Sequence, residues 1–412
     1  VATELVRIDR IAAGGDGVGR LADGRVAFVP RTAPGDLAEC RIGRTAPRFV
    51  RARMVRLVEP GPDRVEPPCR HYLDDECGGC QLQHLDSSAQ RSARRAIAGD
   101  AVRRIAKIPC QDPPLEPTDA EFGYRAKISL TRGSDGRIGY HRLDQPGRVF
   151  QLERCLIARS ELMELWRRLS AARRLLPATL ARVVLRLDRQ NGEHLILETG
   201  EGPVWQGGAE LRAAVRGDRA LTVWLEPGGG AARVVAGADS AYPATAFEQV
   251  NPMMGDRVRA RAVERLGAVA GRRVWDLYSG IGETSSILAT AGATVESVER
   301  DLGAVAEAER RQSALGRRVE RVSGPVEAVA GSLGRPDLVV ANPPRSGMDR
   351  RVVDELVARR PERIVYVSCD PATLARDLGH LARGGYRLAG LEAFDLFPQT
   401  AHVESVAVVE PA

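Results

Sequence analysis

Lysine is almost absent from this chain. Lys107 and Lys127 are the only two, so arginine carries nearly all of the 60 cationic side chains and the formal charge of +6. A surface whose positive charge is arginine suits a phosphate-rich partner. No run of about 18 or more apolar residues occurs, and positions 1–10 are charged early, so neither a membrane span nor a secretory signal is expected. Internal repeats and low-complexity tracts are missing too. Seven cysteines in such a chain argue against a disulfide framework and for metal or catalytic roles, and a cytoplasmic protein is expected. What remains is ordinary globular material, 43% hydrophobic and 28% charged, and 412 residues call for two or three domains.

Positions 1–60 read as a small β-barrel. Short apolar strands at 5–8, 26–29, 37–42 and 49–57 are punctuated by Gly14-Gly15, Asp23-Gly24 and Pro34-Gly35 turns. Acidic residues are missing between Arg41 and Arg56, where Arg41, Arg44, Arg48, Arg51, Arg53 and Arg56 surround Phe49. That pattern suits a track for a nucleic-acid backbone with one stacking ring, or equally a solvated face. A proline-rich break at 60–68 follows, then Cys69, Cys77 and Cys80 with a Gly78-Gly79 turn between the last two, and a basic helical segment at 90–107. Positions 122–245 read as mostly strands, with a helix at 160–175 and a further cysteine, Cys155. After a helix at 248–267, strands at 274–277, 295–299, 319–322, 338–341, 364–368, 386–395 and 403–409 alternate with helices, the sign of a mostly parallel, doubly wound sheet with an antiparallel C-terminal edge.

The chemistry concentrates at the ends of those last strands. Cys369 ends an apolar run, and Asp370-Pro371 opens a helix directly after it. Open α/β sheets bind ligands at that carboxyl edge, and a helix N-terminus there is expected to favour the nucleophilic thiolate. After the first strand comes Asp276-Leu277-Tyr278-Ser279-Gly280-Ile281-Gly282, whose glycines let backbone approach a ligand. Glu299 closes the second strand, placed for a ribose diol, and Asn342-Pro343-Pro344-Arg345 follows the fourth, rigid enough to present polar groups to a flat base. This spacing fits a methyltransferase better than a dinucleotide site. Glu404 could act as general base, although position alone does not select it. Cys69, Cys77, Cys80 and Cys155 offer a full thiolate set, open to zinc or to an iron–sulfur cluster.

Taken together, these motifs resemble the RNA uracil-5-methyltransferase family, which includes the tRNA and 23S ribosomal RNA 5-methyluridine enzymes. The resemblance spans the chain. It is carried by Phe247-Glu248-Gln249-Val250-Asn251, by the segments 276–282, 342–347 and 367–378, and by 397–404. It implies a TRAM-like, OB-like barrel over 1–60, a central cysteine-cluster α+β domain over 61–246, and a class I, Rossmann-like methyltransferase domain over 247–412. Cys369 aligns with the family's nucleophile and Glu404 with its general base. Gln249, Tyr278, Gly280, Gly282, Glu299 and Asn342 match contacts to S-adenosylmethionine. The cysteine pattern is like that of the cluster-bearing members and implies [4Fe-4S] ahead of zinc, on Cys69, Cys77, Cys80 and Cys155. Three positions depart from the common pattern: Asn342 for Asp, Ser279 for a second cysteine, and Glu283 for a smaller polar residue.

The implied reaction is chemically coherent. A thiolate adding to uracil C6 makes C5 nucleophilic toward a methyl sulfonium, and a base then removes the C5 proton. A stacked base is out of reach, so the target nucleotide has to be flipped or unpaired. A monomer acting on RNA is expected, with 23S rRNA ahead of the tRNA T-loop. A non-catalytic RNA-binding protein on the same fold is the alternative from another class, and Cys369 and Glu404 in their motifs speak against it. Radical chemistry wants CxxxCxxC, which the Cx7CxxC spacing here does not supply.

Overall fold

The computed structural model describes residues 3–228, 230–238, 246–315 and 319–412. They divide into two compact units, the first formed by the described residues of 1–66, 81–119 and 253–412, the second by those of 67–80 and 120–252. The expected boundaries at 60 and 246 are thus drawn differently, because residues 81–119 leave the expected middle domain. The reason is the helix Ser87–Ala101, which buries Gln90, Arg94, Ile97 and Ala98. Ile97 and Ala98 share one apolar cluster with Leu82 and Leu85, with Ile11 and Ala33 of the barrel, and with Ala393 of the C-terminal sheet and Ala401 and Val403 of the connection before its strand Glu404–Pro411. One apolar cluster therefore joins three stretches that lie far apart in the chain.

The barrel is closed by five strands in the order Thr3–Ile11, Gly17–Arg20, Val26–Val29, Phe49–Glu59, Leu37–Thr45. Alternation puts Val6, Ile8, Ala27, Val29, Ala38, Cys40, Val50 and Ala52 inside, and Arg51 and Arg53 outside. Gly17–Arg20 carries no apolar alternation and is not visible in the sequence. Its glycines are there for space: a Cβ would lie 2.1 Å from Thr32 Oγ1 at Gly17 and 2.2 Å from Arg7 O at Gly19.

The largest sheet among the described residues has eight strands, in the order Val319–Ser323, Thr294–Glu299, Arg273–Leu277, Leu338–Ala341, Arg363–Ser368, Glu404–Pro411, Tyr386–Phe394, Leu115–Glu116. The first five run parallel. Leu338–Ala341 is buried throughout, as a strand covered by helices on both faces must be. Glu404–Pro411 then inserts antiparallel between Arg363–Ser368 and Tyr386–Phe394. The antiparallel pair is as expected, but it is not the edge: Leu115–Glu116 adds parallel to Tyr386–Phe394. Two residues are too few to announce a strand.

In the second unit, a six-stranded sheet runs Arg233–Ala236, Leu221–Glu226, Glu193–Thr199, Leu180–Leu187, Lys127–Arg132, Ile138–Gly139. Its one parallel pair, Glu193–Thr199 with Leu221–Glu226, is connected through the helix Gly208–Val215. The helix Ser160–Ala171 buries Leu162, Leu165, Trp166 and Leu169 in the core of this sheet.

Candidate active site

Register brings the motif residues of the eight-stranded sheet to one edge. Leu277 pairs with Val298 on one side and with Ala341 on the other, so Tyr278, Glu299 and Asn342 each stand one residue beyond a matched pair. Tyr278 takes a left-handed φ of +62°, Gly280 +55° and Gly282 +74°, and the helix Glu283–Thr290 begins directly after. Glu299 ties this turn down: Gly280 N–H donates to its Oε2 at 2.9 Å, while its Oε1 accepts from Arg300 and Asp301 N–H at 2.8 Å. A Cβ on Gly280 would meet nothing within 4 Å, so the turn faces open space. Asn342 is exposed, and its N–H donates to Leu277 O at 3.2 Å, which sets the Asn-Pro-Pro turn beside the glycine turn. Under the loop, Asp276 is buried and hydrogen-bonded by Ser285, and its burial pushes the carboxyl up to about 6. Glu283, one of the departures from the family pattern, is ion-paired with Arg259 and Arg311.

Cys369 and Glu404 meet through the antiparallel ladder. Ser368 pairs with Ser405, and the same register carried one step further sets Cys369 opposite Glu404. Glu404 is 1% exposed, and its Oε2 has no hydrogen-bond partner. Burial pushes its carboxyl up to about 8, and Arg345 pulls the other way. Cys369 is a free, half-buried thiol. Burial pushes it up and the Glu404 carboxylate adds to this, while Arg345 again opposes. The expected thiolate-favouring effect of the helix Pro371–Arg383 is therefore outweighed. Asp370 accounts for part of this, since its Oδ1 takes the N–H groups of Ala372 at 3.0 Å and Thr373 at 2.9 Å, and its charge opposes the thiolate. Burial thus favours the protonated form of both side chains.

Arg345 is a site residue to which sequence reasoning assigned no role. The motif around it was legible, but its action on two groups from distant strands was not. Thr373 Oγ1 donates to its carbonyl at 3.1 Å, which holds the loop 342–347 against the helix after Cys369. Asp377 braces the same loop, accepting from Met348 N–H at 2.9 Å and from the Tyr366 hydroxyl at 2.7 Å.

Gln249 belongs to the other unit, where its neighbours Glu248 and Val250 are held by Arg186 and by Ala126 N–H. The four cysteines lie in that unit as well. Cys69, Cys80 and Cys155 share one apolar cluster with Tyr72, Tyr124 and Ile157, and Cys77 packs beside Cys155 against the neighbouring core. Gly79 N–H points to Cys77 Sγ at 3.4 Å. Among the described residues, no three His, Cys, Asp or Glu side chains form a group that could hold a metal ion. No described helix is long and apolar enough to cross a membrane.

Comparison with known proteins matches residues 1–55 to the TRAM domain and residues 335–411 to the tRNA (Uracil-5-)-methyltransferase family. An uncharacterized RNA methyltransferase of Gloeobacter violaceus is 35% identical, over 99% of this chain and 96% of that protein. The 23S rRNA (uracil(1939)-C(5))-methyltransferase of Ralstonia nicotianae is 32% identical, over 99% of this chain and 98% of its own length. Among solved structures, the Pyrococcus abyssi tRNA (uracil-54, C5)-methyltransferase in complex with S-adenosyl-L-homocysteine superposes with a TM-score of 0.73 at 25% identity, covering 99% of both chains. Similarity of that extent belongs to the whole chain and not to one module: the chain belongs to the RNA uracil-5-methyltransferase family.

Proposed function

We propose that this S-adenosylmethionine-dependent RNA uracil-5-methyltransferase makes 5-methyluridine in 23S rRNA through a covalent bond between Cys369 and uracil C6, with Glu404 as the base. The observation that supports it is the pair itself: a free thiol at the open edge of the sheet, register-matched to a buried carboxyl whose Oε2 lacks a partner. Cys369, half-buried, gives its proton to solvent water, and Arg345 is the cation that favours the resulting thiolate. The sulfur adds to C6, and the electron pair of the C5=C6 bond makes C5 nucleophilic. Bound S-adenosylmethionine supplies the electrophilic methyl carbon. Glu404 then takes the C5 proton, the C5–H pair re-forms the C5=C6 double bond, and the thiolate leaves C6.

Gln249, Tyr278, Gly280, Gly282, Glu299 and Asn342 are the proposed cofactor contacts. The open space above Gly280 and the carboxylate closing the second strand fit an adenosyl group with its ribose diol. Cys69, Cys77, Cys80 and Cys155 are the proposed ligands of a [4Fe-4S] cluster. What supports the reading is that Cys69, Cys80 and Cys155 share one apolar cluster, with Cys77 packed beside Cys155, and that their spacing resembles that of the family's cluster-bearing members. Uracil methylation transfers no electrons through the protein, which leaves the cluster a structural or RNA-shaping part.

Ribosomal RNA is preferred as target because the Ralstonia nicotianae relative, with the higher identity, is named for 23S rRNA. The tRNA T-loop is the second reading, favoured by the fold match to the Pyrococcus abyssi enzyme. Anaerobically purified enzyme should be given methyl-labelled S-adenosylmethionine with unmodified 23S rRNA and tRNA transcripts in separate reactions. Label recovered as 5-methyluridine in 23S rRNA is expected; label in tRNA alone would replace the substrate. Cys369→Ala should abolish turnover and keep cofactor affinity, and methylation by that variant would sink the nucleophile.

A further inference from the structure

Glu404 stands at the end of the connection 395–403, and an unusual number of buried polar groups hold that connection in place. Gln90 and Gln399 exchange hydrogen bonds: Gln90 Nε2 donates to Gln399 Oε1 at 2.9 Å, and Gln399 N–H donates to Gln90 Oε1 at 3.0 Å. Arg94 pairs with Asp395 at 2.8 Å and donates to Thr400 O at 2.9 Å. Gln399 O accepts from Gln81 N–H at 3.1 Å and Leu82 N–H at 3.0 Å, with Gln399 itself at a left-handed φ of +69°. Gln90, Arg94, Asp395, Gln399 and Thr400 are all buried. The barrel closes over the same place, for a Cβ on Gly15 would lie 2.5 Å from that of Gln81 and 3.2 Å from that of Ala401.

Stability alone does not call for this arrangement. A buried ion pair and buried amides gain little over apolar residues of similar volume. What a buried polar network does supply is one backbone geometry, here imposed on a residue of left-handed φ five positions before the base. Proton abstraction needs that geometry, because a base misplaced by about 1 Å can lose roughly 100-fold in rate.

We propose that Gln90 and Arg94 are positioning residues for the methylation: they fix the connection 395–403 so that Glu404 meets the C5 proton. The inference rests on the reading of Glu404 as the base. Abstraction follows methyl transfer, so a displaced Glu404 leaves the methylated Cys369–C6 adduct standing, with the C5–H bond unbroken and the sulfur still on C6. The connection reads as a strap fastened from outside the catalytic sheet by the helix Ser87–Ala101.

The test uses full-length enzyme, the RNA that it methylates, and the variants Gln90→Met, Arg94→Lys and, as reference, Glu404→Gln. For each, kcat, KM for S-adenosylmethionine and the fraction of enzyme migrating as a covalent RNA complex on a denaturing gel are measured. Gln90→Met, of similar volume without the amide, should lose roughly 10–100-fold in kcat, keep its KM for the cofactor and accumulate the complex as Glu404→Gln does. Arg94→Lys keeps a cation for Asp395 and should fall between Gln90→Met and wild type. If Glu404→Gln traps the complex but Gln90→Met turns over normally, slows without trapping, or loses cofactor affinity together with turnover, the positioning role is overturned. If Glu404→Gln itself neither slows nor traps, the base assignment has failed first.

Discussion

Glu404→Gln separates the proton on this carboxyl from everything else that titrates. Unfolded, Glu404 ionises near 4.5; folded, burial holds it up to about 8. Between those values the folded enzyme keeps a proton that the unfolded chain has released, so stability falls as pH rises through this window and levels off above it. Relative to a residue that never ionises, the penalty grows from about 2 kcal/mol at pH 6 to about 5 kcal/mol at pH 9. Glutamine has no such proton, so the variant should gain on wild type by about 3 kcal/mol across that range. Its amide occupies the same buried space, so the absolute offset at any one pH says little. Urea denaturation of both proteins at pH 6, 7, 8 and 9 gives the difference; titrating groups away from Glu404 are common to both and cancel, and measuring both in a Cys369→Ser background removes the one thiol that Glu404 acts on. A gap constant to within about 0.5 kcal/mol would mean that Glu404 is not raised, and its resting protonation would have to be abandoned.

The same displacement should appear in catalysis. Only the carboxylate accepts the C5 proton, so kcat should rise with pH to a midpoint near 8 in wild type, and a flat profile between pH 6 and 9 in single-turnover release of methylated RNA from the covalent complex would contradict it. In the barrel, Asp36 is fully buried and its partner is Arg64 at 2.5 Å, so Arg64→Ala should cost about 3 kcal/mol in urea denaturation by leaving that carboxylate without its cation. Gly15→Ala should cost about 1–3 kcal/mol, because φ is +94° and the new Cβ would stand against Gln81; an unchanged denaturation midpoint would show that the barrel turn does not press on the strap.

Much of the catalytic sheet was legible in the sequence. Leu338–Ala341 is a strand at its expected limits, as Val26–Val29 is in the barrel, and the alternation of apolar runs with helices gives the parallel order. The residues at strand ends were legible for the same reason, since the carboxyl edge of such a sheet is where its ligands go. Gly17–Arg20 was hidden because its glycines serve close packing and not side-chain burial, and Leu115–Glu116 because it is too short. The compact units group residues 81–119 with the barrel and the eight-stranded sheet, since the basic helix Ser87–Ala101 buries Gln90 and Arg94 against the strap, a contact that only the fold reveals.

The charge state of the site lay beyond the sequence altogether. The pattern Ser-Cys-Asp-Pro suggested a thiol activated by a helix end, yet burial and the carboxyl of Glu404 raise it, and Asp370 occupies the very N–H groups that were to help. Sequence determined which residue types stand at which strand end, because period and turn chemistry are local. The meeting of Cys369 with Glu404, the reach of Arg345 to both, and the grip of Gln90 on Gln399 were decided by tertiary structure alone. Burial and pairing across distant segments are properties of the folded chain, and they set how readily a proton leaves.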